Sequence, residues 1–430
     1  MSILRVLKAL LFLTAVCISW TAAQQTVALT PDQAVALALQ NHPSLQEAEA
    51  NVRSADAGAT LARSALYPLI SANASVTRNG GAFVFNPTSP IVNQQYYSYA
   101  TGFQANMTVF DFGKTYNRIS ANNRLADATD YDYTSTRESV IMNALTAYYT
   151  LVQAGQVTRA NEEAVDQTSK HLAEAKAFYS VGTRAQIDVT KAEVDYANAN
   201  VNLITARNQK RIALLQLQNA MGVPATTAYT VQDTFEVTPW QLPLDSVRAI
   251  AFDKRPEYLA AQSRYEASKS LLSAAWEQHL PTISATGAYT WTNFQLSPLF
   301  SRWNAGLTVS LPIFQGFALT AQVNQAEAGV DEARAGLDLL VQAVDLDVEQ
   351  NYLSLREAQD RIGATSKLVE QAQENQVLAE RQFAAGVGTS LEVADAQLTL
   401  TNARITRIQA LYDFNTALVR LKRSMGVLGE

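Results

Sequence analysis

The stretch Tyr97-Ser98-Tyr99-Ala100-Thr101-Gly102-Phe103-Gln104-Ala105-Asn106-Met107-Thr108-Val109 alternates large or apolar residues at odd positions with mostly small or polar ones at even positions. A period of two places the two sets on opposite faces of a strand. Phe110-Asp111-Phe112-Gly113 then ends the alternation, and no proline occurs from Ile91 to Val223. Proline costs about 3 kcal/mol inside a helix, so a proline-free tract rich in Ala, Gln, Glu, Arg and Leu is where a long helix can form. A strand that runs straight into a very long helix is therefore the unit from which the rest of the chain is read.

That unit occurs twice. Asn41-His42-Pro43 matches Lys254-Arg255-Pro256, and Tyr67-Pro68-Leu69-Ile70 matches Leu280-Pro281-Thr282-Ile283, both displaced by 213 positions. From Phe110 onward the displacement is 204, pairing Phe110 with Phe314, Tyr148 with Tyr352, Gly182 with Gly386 and Met221-Gly222-Val223 with Met425-Gly426-Val427. A constant offset over such a length marks a duplication. The first copy is nine residues longer between Pro68 and Phe110.

Each copy predicts a short helix (Ser44 to Leu66, Glu257 to Leu280), a β-hairpin (about 69–112, 282–314), a long helix (about 116–179, 320–383) and a second helix (about 186–221, 390–425). At 1.5 Å per residue the long helices run about 95 Å, and the two shorter ones placed end to end match that length. Gly182 and the Gly386/Gly388 pair mark the turns between the last two helices. Leu391, Ala394, Leu398, Thr401, Ile405 and Ile408 recur at three- and four-residue spacing, which coiled-coil packing explains without a ligand. The resulting organisation is a leader at 1–23, a first repeat at 24–222, a linker at 223–244 and a second repeat at 245–430.

The hairpin strands each show alternation over about ten residues, the length that crosses a bilayer when tilted. Ile283, Ala285, Gly287, Tyr289 and Trp291 alternate with Thr and Ser; Trp303, Ala305, Leu307, Val309 and Leu311 alternate with Asn, Gly, Thr and Ser. The stretch from Ile70 to Thr77 does so more weakly. Two readings fit: strands of a transmembrane barrel, or two hairpins capping a soluble bundle with the apolar face as core. Four strands cannot close a barrel, since about eight is the smallest, so a membrane reading requires subunits to pool their strands, with loop tips at Asn79 to Tyr96 and Thr292 to Arg302 facing outside.

The N-terminus indicates export. Arg5 and Lys8 precede the apolar run Ala9 to Trp20, which is too short to span a bilayer, and Thr21-Ala22-Ala23 supplies small residues for cleavage. Cys17, the single cysteine, falls in this leader behind a poor lipidation box, so the mature chain is expected to have no thiol chemistry. Without Arg5 and Lys8, 31 basic residues face 39 acidic ones. That balance argues against nucleic acid as a partner. No later segment offers about 20 consecutive apolar residues for a helical span. His42, His171 and His279 are scattered, with surface or packing roles, and no metal, phosphate-loop or Ser-His-Asp grouping emerges, so no catalytic, cofactor-binding or metal site is expected.

The ordered motifs Phe110-Asp111-Phe112-Gly113, Tyr179-Ser180-Val181-Gly182-Thr183-Arg184, Leu311-Pro312-Ile313-Phe314-Gln315-Gly316 and Gly386-Val387-Gly388-Thr389-Ser390 resemble those of TolC-type outer membrane efflux proteins over essentially the whole mature chain. The resemblance implies a mainly α fold with β: long antiparallel helices forming a trimeric periplasmic α-barrel, plus four strands per chain in a 12-stranded transmembrane β-barrel. It implies the outer-membrane channel-tunnel of a tripartite efflux or type I secretion system. The partners would be a periplasmic adaptor (membrane fusion) protein, an inner-membrane pump of RND, ABC or MFS type, and outer membrane lipid. It also implies a mid-tunnel belt, here reduced to Val223 to Leu244. The competing function is a periplasmic coiled-coil adaptor or scaffold outside the membrane, which would lack the outward apolar alternation.

Val181, Gly182, Thr183, Arg184, Val387, Gly388, Thr389 and Ser390 resemble the family's adaptor-docking tips, although ordinary turn chemistry uses the same glycines. Glu370, Glu374, Asp166 and Arg381 are candidates for a periplasmic gate or pore ring, or else belong to a solvated coiled-coil face. Trp291, Trp303, Tyr97, Phe110 and Phe314 are candidates for membrane-interface aromatics, with core packing as the alternative.

Overall fold

The computed structural model describes residues 27–83, 92–225, 229–232 and 234–429; the leader, Cys17 and parts of the first loop tip and the linker lie outside the described residues. The elements are β1 (Val27–Leu29), α1 (Pro31–Asn41), α2 (Pro43–Ser64), β2 (Leu69–Phe83), β3 (Val92–Phe110), α3 (Lys114–Ser180), α4 (Gln186–Ala220), β4 (Tyr229–Val231), α5 (Leu244–Lys254), α6 (Pro256–Trp276), β5 (Thr282–Asn293), β6 (Phe300–Ser310), α7 (Ala318–Ala384) and α8 (Ser390–Ser424). Both α3 and α7 have 67 residues, and both α4 and α8 have 35. Their start and end positions differ by 204 throughout, the offset of the duplication.

The sequence predicts one short helix per copy, and the structure has two. His42 and Arg255 sit in extended backbone between α1 and α2 and between α5 and α6. Each precedes a proline, whose ring pushes the preceding residue out of the helical region while starting the next helix at its first position. Thr30 and Gln33 form a reciprocal capping box at the start of α1.

The chain divides into two compact units. Among the described residues, one comprises those within 27–45, 137–251 and 347–429. It holds a parallel two-stranded sheet, Val27–Leu29 beside Tyr229–Val231, that links the chain start to the linker. Beneath it Tyr148 is fully buried among Leu29, Ala34, Leu151, Val152, Leu217 and Met221. Its hydroxyl bonds the carbonyl oxygens of Leu29 and Gln232 at 3.2 and 3.3 Å, and burial pushes the phenol up to about 12. Elsewhere alanines dominate the buried positions, as close helix-to-helix packing requires.

The other unit comprises residues 46–136 and 252–346. Its four-stranded antiparallel sheet runs β2-β3-β5-β6, so the two hairpins join through β3 and β5. The strands, at 15, 19, 12 and 11 residues, exceed the predicted ten and absorb much of the predicted loop tips. Cross-strand contacts carry the extension: Arg78 bonds Gln95 at 2.5 Å and lies over the Tyr97 ring. Gly102 is needed where β3 meets β5, because a Cβ there would collide with the backbone of Tyr289 and Thr290. At the strand-to-helix junction Phe112 and Gly113 take positive φ values of 58° and 106°, and Asp111 accepts from the Thr115 amide at 2.9 Å to start α3.

Candidate functional site

Two regions carry the predicted site residues. The first is the pair of helix-hairpin tips. Gly182 (φ 77°) closes α3 and Gly386 (φ 79°) closes α7, both left-handed, which glycine adopts without a Cβ penalty. Val181 and Val387 project into solvent, 72% and 81% exposed. The other tip residues behave differently. Arg184 turns onto the second tip, its Nη2 donating to the Gly388 carbonyl at 3.0 Å and its guanidinium 4.8 Å from the centre of the Phe383 ring. Gly388 lies against the backbone of Gln382 and Phe383. Thr389 caps α8, accepting from the Glu392 amide at 3.3 Å while the Glu392 carboxylate accepts from the Thr389 amide at 2.7 Å. Ser390 is buried.

Of the three histidines expected in surface or packing roles, His171 packs, buried in this tip cluster. Its Nε2 lies 3.0 Å from Ser390 Oγ and its ring meets Phe383 edge-on at 5.2 Å. Phe178 meets the same ring at 5.8 Å, and Ala379, Val393 and Ala396 complete the core. The only signal in sequence is an apolar spacing that a histidine interrupts.

The four candidate gate residues do not form one cluster. Asp166 pairs with Lys170 at 2.6 Å on α3, and that bond holds the lysine ammonium above its ordinary range. Glu370 pairs with Lys367 at 2.8 Å on α7. Glu374 and Arg381 are exposed, and no hydrogen bond or ion pair joins the four among the described residues.

The second region is the sheet. Register puts Tyr97, Tyr99, Phe103, Ile283, Tyr289, Trp291, Trp303, Leu307 and Val309 on one face. Ser71, Asn73, Gln104, Asn106, Ser284, Thr286, Asn304 and Thr308 share the other. Among the described residues no element covers the apolar face: Phe103, Trp303, Leu307 and Val309 are all exposed. Aromatics gather at both ends of the strands. Trp291 packs on Tyr289 and Phe103 at 4.7 and 6.3 Å; at the helix end Phe110 meets Phe112 at 4.7 Å and Phe314 meets Phe317 at 5.6 Å. From Tyr97 to Phe110 the strand rises about 43 Å, which a 45° tilt reduces to about 30 Å, the thickness of a bilayer's hydrocarbon core.

The family profile described as "Outer membrane efflux protein" matches residues 34–223 and again 249–427. Outer membrane protein TolC of Escherichia coli K12 is 26% identical over 413 residues, covering 91% of this chain and 80% of that protein. Outer membrane efflux protein BepC of Brucella suis is 24% identical over 414 residues, covering 94% and 86%. The crystal structure of the Campylobacter jejuni CmeC outer membrane channel superposes with a TM-score of 0.83 at 19% identity, over 96% of this chain and 92% of that one. The profile fits once in each copy of the duplication, and the chain belongs to the outer membrane efflux protein family, channels of the outer membrane that extend into the periplasm.

Proposed function

We propose that three copies of this chain assemble into one export duct that passively conducts cargo and catalyses no reaction. The observation that carries this is the sheet: among the described residues, four strands with an uncovered apolar face and two outer strands, β2 and β6, that pair only on one side. Three such sheets supply twelve strands, enough to close a ring and leave no edge. The apolar face would meet lipid, with Tyr97, Trp291 and Trp303 at one interface and Phe110 and Phe314 at the other.

The helices support the same assembly. Ile187, Val194 and Val201 recur every seven residues on α4, and Leu339, Leu346 and Leu353 do so on α7; all six are exposed. Heptad stripes of this kind pack against a neighbouring helix. In the trimer α4 of one protomer would meet α7 of the next.

The tips would receive a periplasmic adaptor that links the duct to an inner-membrane pump of RND, ABC or MFS type. The exposed Val181 and Val387, flanking Gly182, Thr183, Arg184, Gly388, Thr389 and Ser390, give that contact an apolar start. Glu370 and Glu374, with Asp166 and Arg381, would line the narrow periplasmic end and favour cations. Purified protein in detergent is expected to size as a trimer and to give steady conductance in planar bilayers. A monomer that stays soluble without detergent would overturn the duct. Unchanged cation preference after E370K/E374K would remove the acidic ring while leaving the duct intact.

A further inference from the structure

We infer that His171 is a positioning residue which, while its imidazole is neutral, clasps the tip of the first helix hairpin to that of the second, and that protonation opens the clasp. The geometry is local to one unit of one protomer. His171 stands on α3, and it is 5% exposed. Its partners come from the other hairpin: Ser390 Oγ at 3.0 Å on α8, and the Phe383 ring at 5.2 Å on α7. Arg184, at the first tip, covers the same Phe383 ring and bonds the Gly388 carbonyl. Imidazole and guanidinium thus both contact the Phe383 ring and join the two tips, and Ser390 in the first turn of α8 bonds the imidazole.

A second positive charge does not belong beside that ring. Arg184 already places a cation over Phe383, and a buried imidazolium loses hydration that the site does not replace. Carboxylates surround the site: Glu174 on α3, Asp188 and Asp195 on α4 and Glu380 on α7 all pull toward protonation. Lys170 and Arg381 line the same groove. From α8 the neighbours are Ser390, Val393 and Gln397, none of which titrates. Burial outweighs the carboxylates and holds the His171 pKa below the ordinary histidine range.

The direction of the pH effect follows. A histidine whose pKa is lowered in the clasped state binds its proton more readily when the tips part. The clasp therefore has full strength above about pH 6.5 and weakens as pH falls through the lowered value. Over that window the parted population rises by up to about tenfold per pH unit.

The test is hydrogen exchange on the purified full-length protein in detergent, following peptides from both tips between pH 7.5 and 5, with H171Q as the reference for intrinsic exchange. Glutamine keeps a hydrogen-bonding side chain but does not titrate. Wild type is expected to lose tip protection on acidification, by up to about tenfold per pH unit, and H171Q is expected to lose none beyond the intrinsic change. S390A should lower protection at pH 7.5 yet keep the pH step, because the titrating group remains; its loss of the step would also count against the clasp. Imidazole NMR of the three-histidine chain gives an independent readout. A His171 titration at or above the ordinary histidine value, or an equal acid loss of protection in H171Q, overturns the proposal.

Discussion

The two helix-hairpin tips descend from one duplicated segment, yet they are built differently. Tyr179 and Phe383 occupy equivalent positions, 204 apart, but Tyr179 is 46% exposed and Phe383 3%. Ala185 and Thr389 are both N-caps; the alanine makes no side-chain cap, and the threonine makes a complete capping box with Glu392. Arg184 and Gly388 are likewise equivalent, and here the two copies touch, the arginine donating to the glycine's carbonyl. The second tip is the anchored one. The first keeps its own turn bond, Thr183 donating to the Phe178 carbonyl at 2.9 Å, but buries no aromatic ring of its own at the Tyr179 position, so one side chain in tip two should matter more than its counterpart in tip one.

The largest expected contrast is at the aromatic pair. F383A removes a buried ring that packs His171, Phe178 and Arg184, and losses of about 3–5 kcal/mol are usual for such deletions. Y179A removes a half-exposed ring and should cost under about 1 kcal/mol. Limited proteolysis of the two tips measures both, and equal sensitivity would show that the anchoring is not asymmetric.

Next come the glycines. At Gly388 an added Cβ would sit 2.9 Å from the Phe383 nitrogen and 3.0 Å from the Gln382 carbonyl carbon. G388A is therefore expected to cost about 1–3 kcal/mol through backbone crowding. G182A meets no neighbour and pays only for its left-handed backbone, about 1 kcal/mol. Capping gives a smaller and reciprocal test. T389A should destabilise the start of α8 by about 1 kcal/mol, and A185T, which supplies the missing cap acceptor to α4, should stabilise its own tip by a fraction of that. Amide exchange in the first turns of α4 and α8 reads both.

Much of this organisation could be read from residue order, and the failures have physical causes. The proline-free tracts located the long helices to within two residues, because nothing in them competes with helix. Alternation exposed the apolar face of the sheet, because a strand's period does not depend on its partners. Strand length was missed: Arg78, Gln95 and Tyr97 support pairing across the hairpin, which no single strand reveals. Pro43 and Pro256 marked where α2 and α6 begin, but the helices just upstream, α1 and α5, went unread because each is only 11 residues long and too short for a clear period. The tip cluster was the least legible. His171 and Ser390 are separated by more than 200 positions, and only the fold makes them neighbours.

The smallest expected effect concerns the charged residues near the tips. Asp166 with Lys170 and Lys367 with Glu370 are ion pairs within single helices, exposed on both partners. Such exposed pairs contribute little and are screened by salt, so neither tip depends on them for stability. D166N and E370Q should leave the exchange of both tips indistinguishable from wild type. That near-silence makes them useful, because it separates two roles that larger substitutions confuse. If E370Q shifts the cation preference of the channel while tip exchange stays put, the carboxylate acts on permeating ions. If it loosens the second tip as much as T389A does, the pair is part of the anchor, and the asymmetry between the tips rests on charge as well as on packing.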